Sequence, residues 1–228
     1  MKRRKAKLFL LKTLLTFLAL GLIPLFTIFI LNFKILFQGF EIFRTEVMWV
    51  VMGFMGYLGF FIIAGPPKKI YILEHELTHA IGALLSGVKI KDFRIKGGSG
   101  YIKTERVNIF IALLPYVFPL YTFLTILLFY IYSVFESIRF VNYIFYFLFG
   151  LSLSFHTSAT FYYLMIDQPD LRRYGVFPSI IFILLWYVII ISILLYMLMP
   201  ELDITEFFKK SLSEYFAFYN YLIYKIFS

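Results

Sequence analysis

The sequence predicts an all-α polytopic membrane protein, with about five to six membrane helices and one short membrane-associated β-hairpin. Three observations predict it. Of the 228 residues, 61% are hydrophobic and only 15% charged, which is more apolar surface than a soluble domain of this length can bury. Several apolar runs are long enough to cross a hydrocarbon core without a charge. The one long polar stretch, Lys89 to Arg106, alternates apolar and polar residues on either side of a glycine-rich centre.

A basic head, Met1 to Lys7, precedes an apolar run from about Leu8 to Leu31. That run is too long for the core of a cleaved signal and lacks a small-residue cleavage site, so it reads as a first span with its basic end in the cytoplasm. Pro24 sits inside it as a kink position. A short mixed loop, Asn32 to Glu46, leads to a second span, Val47 to Ala64. Its glycines, Gly53, Gly56 and Gly59, fall three apart rather than at the four-residue spacing of the helix-dimer motif, and so give little ground for close helix packing. Gly65-Pro66-Pro67-Lys68-Lys69 breaks the chain at a membrane face, because neither proline continues a helix and lysines mark the boundary.

The next helix, Ile70 to Ser86, ends at Gly87, a residue suited to a C-terminal cap. Lys89–Ile95 and Tyr101–Val107 then read as the two strands of a hairpin about the turn Lys96 to Gly100. Val107 to Tyr132 is a span interrupted by Pro115 and Pro119. Phe140 to Ile166 is another, followed by a polar junction, Asp167 to Arg173, and a final span, Phe177 to Leu198. From Glu201 onward, charges alternate with aromatics, as in a helix lying on a membrane surface. Residues 1–200 thus form one domain and 201–228 an amphipathic surface tail.

The net charge of +9 fits Lys and Arg at membrane edges facing anionic headgroups, and no nucleic-acid-binding module is present. The absence of cysteine excludes both a disulfide framework and a thiolate metal site.

The helix from Ile70 carries the chemistry. His75, Glu76 and His79 spell H-E-x-x-H, with two of the chain's three histidines. Residues four apart share one helix face, so both imidazoles can reach one metal ion with a carboxylate beside them. That arrangement suits Zn2+ hydrolysis: two neutral nitrogen ligands, and Glu76 to accept a proton from the attacking water. Ionisable groups among Ile70, Tyr71, Ile72, Leu73 and Ile81 are costly enough to mark function. Glu74 points to a different face and reads as a charge near the helix N-terminus rather than a base.

The stretch from Glu74 to about Thr122 resembles the site-2 protease superfamily of intramembrane zinc metalloproteases, in particular the small bacterial members without a PDZ domain. The matching residues are His75-Glu76-Leu77-Thr78-His79-Ala80, Leu84-Leu85-Ser86-Gly87-Val88-Lys89, Gly98-Ser99-Gly100-Tyr101, Ala112-Leu113-Leu114-Pro115-Tyr116 and Phe118-Pro119-Leu120-Tyr121, with a return at Phe155-His156-Thr157 and Gln168-Pro169-Asp170-Leu171. The resemblance implies an endopeptidase that cuts a peptide bond of a membrane protein or peptide, within or beside the bilayer. It also implies a third metal ligand from an Asp-Gly step in a later helix. This chain has no Asp-Gly, and Gln168-Pro169-Asp170 is the nearest equivalent.

Catalytic zinc takes three protein ligands and leaves one position open. Asp170, Asp167 and His156 are the candidates for the third, Asp170 first. On one continuous helix His156 and Asp170 would be ~21 Å apart, so they share a metal only if the helix breaks between them. Charge bias favours a topology in which the segment from Ile70 to Arg106 returns to the cytoplasmic side. That choice gathers most of the Lys and Arg on one side and puts Asp170 on the same side as Lys68. The hairpin, with Gly98 and Gly100 as candidate substrate contacts, offers an edge to which an unwound substrate can add as a strand. Two other classes use the same residues: a membrane metal-binding or transport protein, which needs no Glu76 base, and an inactive scaffold of the same fold.

Overall fold

In the computed structural model, residues 2–38, 44–96, 98–135 and 139–228 are described. Helix α1 (Lys2–Asn32) runs into a 3-10 turn, Phe33–Phe37. It is followed by α2 (Thr45–Ala64), α3 (Lys68–Leu85), strands β1 (Ile90–Lys96) and β2 (Ser99–Thr104), α4 (Ile109–Leu113), α5 (Leu120–Phe135), α6 (Arg139–Leu164), α7 (Pro169–Tyr174), α8 (Val176–Leu198) and α9 (Ile204–Phe227). Among the described residues the chain is predominantly helical, with one two-stranded antiparallel sheet. Among the described residues, four helices are long and apolar enough to cross a membrane: α1, α2, α6 and α8. A fifth is added if α4 and α5, bent by 75° at their break, form one span. Apolar side chains such as Phe17 and Ile63 lie exposed along α1 and α2, as expected of helix faces bathed in lipid.

The expected loop after α1 is partly ordered as the 3-10 turn, whose Ile35 and Leu36 are buried. The rest of that loop, residues 39–43, lies outside the described residues. The chain divides into two compact units, Met1–Phe40 with Pro169–Ser228, and Glu41–Gln168.

In the first unit, α1, α8 and α9 enclose an apolar core of Phe29, Ile35, Leu36, Leu185, Val188 and Phe207. The segment from Glu201 supplies part of that core. Phe207 is fully buried, with its ring 5.4 Å from that of Phe29. Asp203 caps α9 by accepting from the Glu206 amide at 2.9 Å. Tyr215 and Tyr219 donate their hydroxyls to the Gly21 carbonyl at 3.1 and 2.7 Å, and the Asn32 amide donates to Glu214 at 2.8 Å.

In the second unit, α2 and α6 pack backbone to backbone. A Cβ at Gly53 would sit 2.0 Å from the Phe147 carbonyl oxygen, and one at Gly150 would sit 2.0 Å from that of Val50. Nothing lies within 4 Å of the same position on Gly56 or Gly59. The close packing that the glycine spacing in α2 did not predict comes from one glycine on each helix.

Helix α3 starts directly after Pro66-Pro67 and stops in a Schellman motif. The Gly87 amide donates to Leu84 and the Val88 amide to Ala83, with Gly87 at φ +61. Val88 then packs on Ala83 and Ile111. From this cap the hairpin doubles back along α3, pairing Phe93 with Ile102 and Lys96 with Ser99, with an irregularity between Ile90 and Asp92. The turn is therefore shorter than expected, and Gly100 belongs to β2.

Candidate metal centre

The two motif histidines share one face of α3, with ring centroids 4.7 Å apart and planes at 89°. Each has its Nδ1 engaged by a neighbour. The Tyr71 hydroxyl, one turn earlier on α3, lies 3.1 Å from Nδ1 of His75, and Tyr71 is held by stacking on Tyr163 of α6 at 3.8 Å. His79 is buried, and its Nδ1 lies 2.7 Å from the carbonyl oxygen of Ile111. A carbonyl only accepts, so in the neutral ring Nδ1 carries the proton and Nε2 the lone pair. Such an outer hydrogen bond orients an imidazole for a metal and makes it a better donor.

The Ile111 carbonyl is available for a reason written in the sequence. Its helical partner would be the amide four residues on, and residue 115 is proline, which has none. The backbone around it is placed by Asn108, which caps α4 by accepting from the Ile111 amide at 2.7 Å and donates to Ser86 at the end of α3 at 3.1 Å. The two helices also meet closely at Gly82, where a Cβ would lie 3.3 Å from the Ile111 Cα. Tyr116, fully buried after the proline, presents its ring to His75 at 5.3 Å.

Glu76 faces the hairpin. A Cβ on Gly100 would lie 2.7 Å from both Glu76 Cγ and Ile72 Cγ2, so only glycine lets β2 sit this close to the motif carboxylate. Gly98, in the turn at φ +82, has open space around it.

Glu74 departs from the sequence expectation. Expected as a charge near the helix N-terminus, it is a buried side chain, with Oε1 3.3 Å from Nδ1 of a buried His156 on α6. Glu74 therefore lies on the face of α3 turned toward α6, which brings His156 to it. Asp167 is exposed in the short link after α6. Asp170 is the second residue of α7, in its first turn, and belongs to the first unit.

The Tyr71 and Ile111 contributions and the Glu74–His156 pair escaped the sequence reading. Two signals were present: Tyr71 stands four residues before His75, and Pro115 four after Ile111. No protein-family model, curated protein or solved structure matches this chain.

Proposed function

We propose that the protein is a zinc-dependent intramembrane endopeptidase, cleaving a peptide bond of a membrane-embedded or membrane-adjacent substrate. The observation that supports it most is the anchoring of both motif imidazoles through Nδ1, His79 on the Ile111 carbonyl and His75 against Tyr71. Two imidazoles on one helix face, each oriented through Nδ1, is an arrangement that suits a shared metal ion. Asp170 would add a carboxylate to His75 and His79, and two imidazoles with one carboxylate is a known zinc hydrolase set. In this reading Asp170 is the third ligand, and His156 serves to position α3 through Glu74.

Zinc, when bound, supplies Lewis acidity that polarises the scissile carbonyl and activates water near neutral pH. Glu76, one residue from His75, takes the proton of the attacking water and returns it to the leaving amine. The hairpin beside Glu76 holds the unwound substrate backbone by strand addition, which keeps its polar groups hydrogen-bonded at membrane depth. The protein is integral to a membrane, with the basic N-terminal head on the cytoplasmic side. Counting the bent α4–α5 pair and α3 with the four long spans gives about five to six membrane elements.

The test is a paired measurement of zinc content and cleavage of a membrane-embedded reporter peptide. Glu76→Gln keeps zinc and loses at least about 100-fold in cleavage, since only the proton acceptor is removed. His79→Ala and Asp170→Asn lose metal and activity together. Full cleavage by Glu76→Gln would overturn the hydrolase. Full zinc in Asp170→Asn with loss in His156→Ala would move the third ligand to His156.

A further inference from the structure

The hairpin has two chemically different faces, fixed by its register. Phe93 pairs with Ile102 and Ile95 with Gly100, so these four share one face. Gly100 identifies it as the face against α3, through Ile72 and Glu76. The opposite face carries Arg94 paired with Tyr101, Asp92 with Lys103, and Lys96 with Ser99. It therefore presents three cations and one carboxylate. The carboxylate is already engaged: Tyr101 donates to Asp92 at 2.7 Å, and Arg94 lies 3.7 Å from it. Lys103 lies over the Tyr101 ring at 5.2 Å, and Arg94, Lys96, Tyr101 and Lys103 are all exposed. Lys89, Lys91 and Arg106 add exposed charge at the base.

The position of this face relative to the membrane follows from the chain. Span α2 ends at Ala64, and only Gly65, Pro66 and Pro67 separate it from Lys68 at the start of α3. The hairpin runs back along α3 until Gly100 meets Ile72, one turn from that end. Its tip, Lys96 to Ser99, is thereby placed at the level where α2 leaves the hydrocarbon. An element with an apolar inner face, a cationic outer face and a tyrosine between them, at that depth, matches the chemistry of an acidic lipid surface.

We propose that the outer face of the hairpin, through Arg94, Lys96 and Lys103, binds the phosphates of anionic phospholipid headgroups. This does not depend on the proteolytic reading, and its readout involves neither zinc nor cleavage.

The full chain has no cysteine, so Ser99→Cys at the exposed turn accepts one environment-sensitive fluorophore. The labelled protein is reconstituted in vesicles of phosphatidylcholine alone and in vesicles of equal parts phosphatidylcholine and phosphatidylglycerol. The expected result is a blue-shifted emission in the anionic vesicles only, reversed by high salt. That shift is lost in Arg94→Gln/Lys96→Gln/Lys103→Gln, which keeps side-chain bulk and removes charge. At about fivefold per cation near an anionic surface, three neutralised charges lower the anionic preference on the order of 100-fold. Emission that is identical in the two vesicle types overturns the proposal. So does a shift that survives in the triple variant, or one that inorganic phosphate reproduces in phosphatidylcholine vesicles. If the triple variant does not reconstitute, a single Lys96→Gln variant takes its place: a loss of about fivefold is expected, and an undiminished shift overturns the proposal.

Discussion

The two compact units solve the problem of burying polar groups in opposite ways. The first buries aromatic and aliphatic side chains around Phe29, Leu185 and Phe207, and its tyrosines satisfy a backbone carbonyl at Gly21. The second brings Glu74, Thr78, His79 and His156 inside. Ionisable groups in an apolar interior cost stability unless they are paired. The second unit pairs each one with a specific partner: Glu74 with His156, Thr78 with the Glu74 carbonyl at 2.7 Å, and His79 with Ile111. Among the described residues, the buried Glu and His side chains all lie in the unit that carries H-E-x-x-H.

Four measurements test this contrast, all read as unfolding free energy in detergent unless stated. The largest effect is expected at the buried pair. Glu74→Ala or His156→Ala strands its partner in the interior and destabilises the second unit by about 4 kcal/mol. Glu74→Met with His156→Leu recovers part of the loss, since two apolar groups leave nothing unpaired. If either single variant is neutral, the polar interior is not specifically satisfied and the contrast fails. Next comes Gly150→Val, which drives a side chain into the Val50 carbonyl and costs about 3 kcal/mol by forcing α2 and α6 apart. Gly56→Val, where the space is open, is expected to cost less than about 1 kcal/mol.

The third measurement is in the first unit. Tyr219→Phe, losing the 2.7 Å bond to Gly21, costs about 1 kcal/mol. Unchanged stability would show that this hydroxyl is not what ties α9 to α1. The smallest effect is in the hairpin. The Tyr101 hydroxyl, with Arg94 and Lys103, holds the Asp92 carboxyl below the usual aspartate range, and the same bond raises the Tyr101 hydroxyl. The folded state therefore favours the Asp92 carboxylate. The hairpin gains stability above the ordinary aspartate pKa and loses it as pH falls through the lowered one. Hydrogen exchange of the β1–β2 amides should show that loss at acid pH, and Asp92→Asn should abolish its pH dependence.

Local features of the fold were legible in the sequence, and pairings between helices were not. Gly87 announced the end of α3 because a left-handed cap is a local requirement that glycine meets. The alternation from Lys89 to Val107 announced the hairpin, because period two is a local pattern. The turn was placed too broadly because Gly100 serves close packing on Glu76 rather than chain reversal, and both uses look alike in sequence. Gly53 could not reveal Gly150, nor Glu74 reveal His156, because each contact joins segments separated by three or more elements and leaves no periodic trace. Within the site, the pair of histidines was plain. The carbonyl that orients His79 was implicit in Pro115, but only the fold shows which side chain collects the acceptor that proline leaves.

The order of the units along the chain bears on biosynthesis. Residues Glu41–Gln168 are contiguous, whereas the other unit is assembled from the two ends of the chain. A ribosome completes the contiguous unit, with α3, the hairpin and α4 in immediate succession, before α8 and α9 exist. Until then α1 waits in the bilayer with its Phe29 face lacking its later partners, a state that lipid tolerates far better than water would. The last closure, Tyr219 onto Gly21, joins residues 198 apart in sequence. The contiguous unit is therefore free to mature first, with the packing of α1, α8 and α9 completed last.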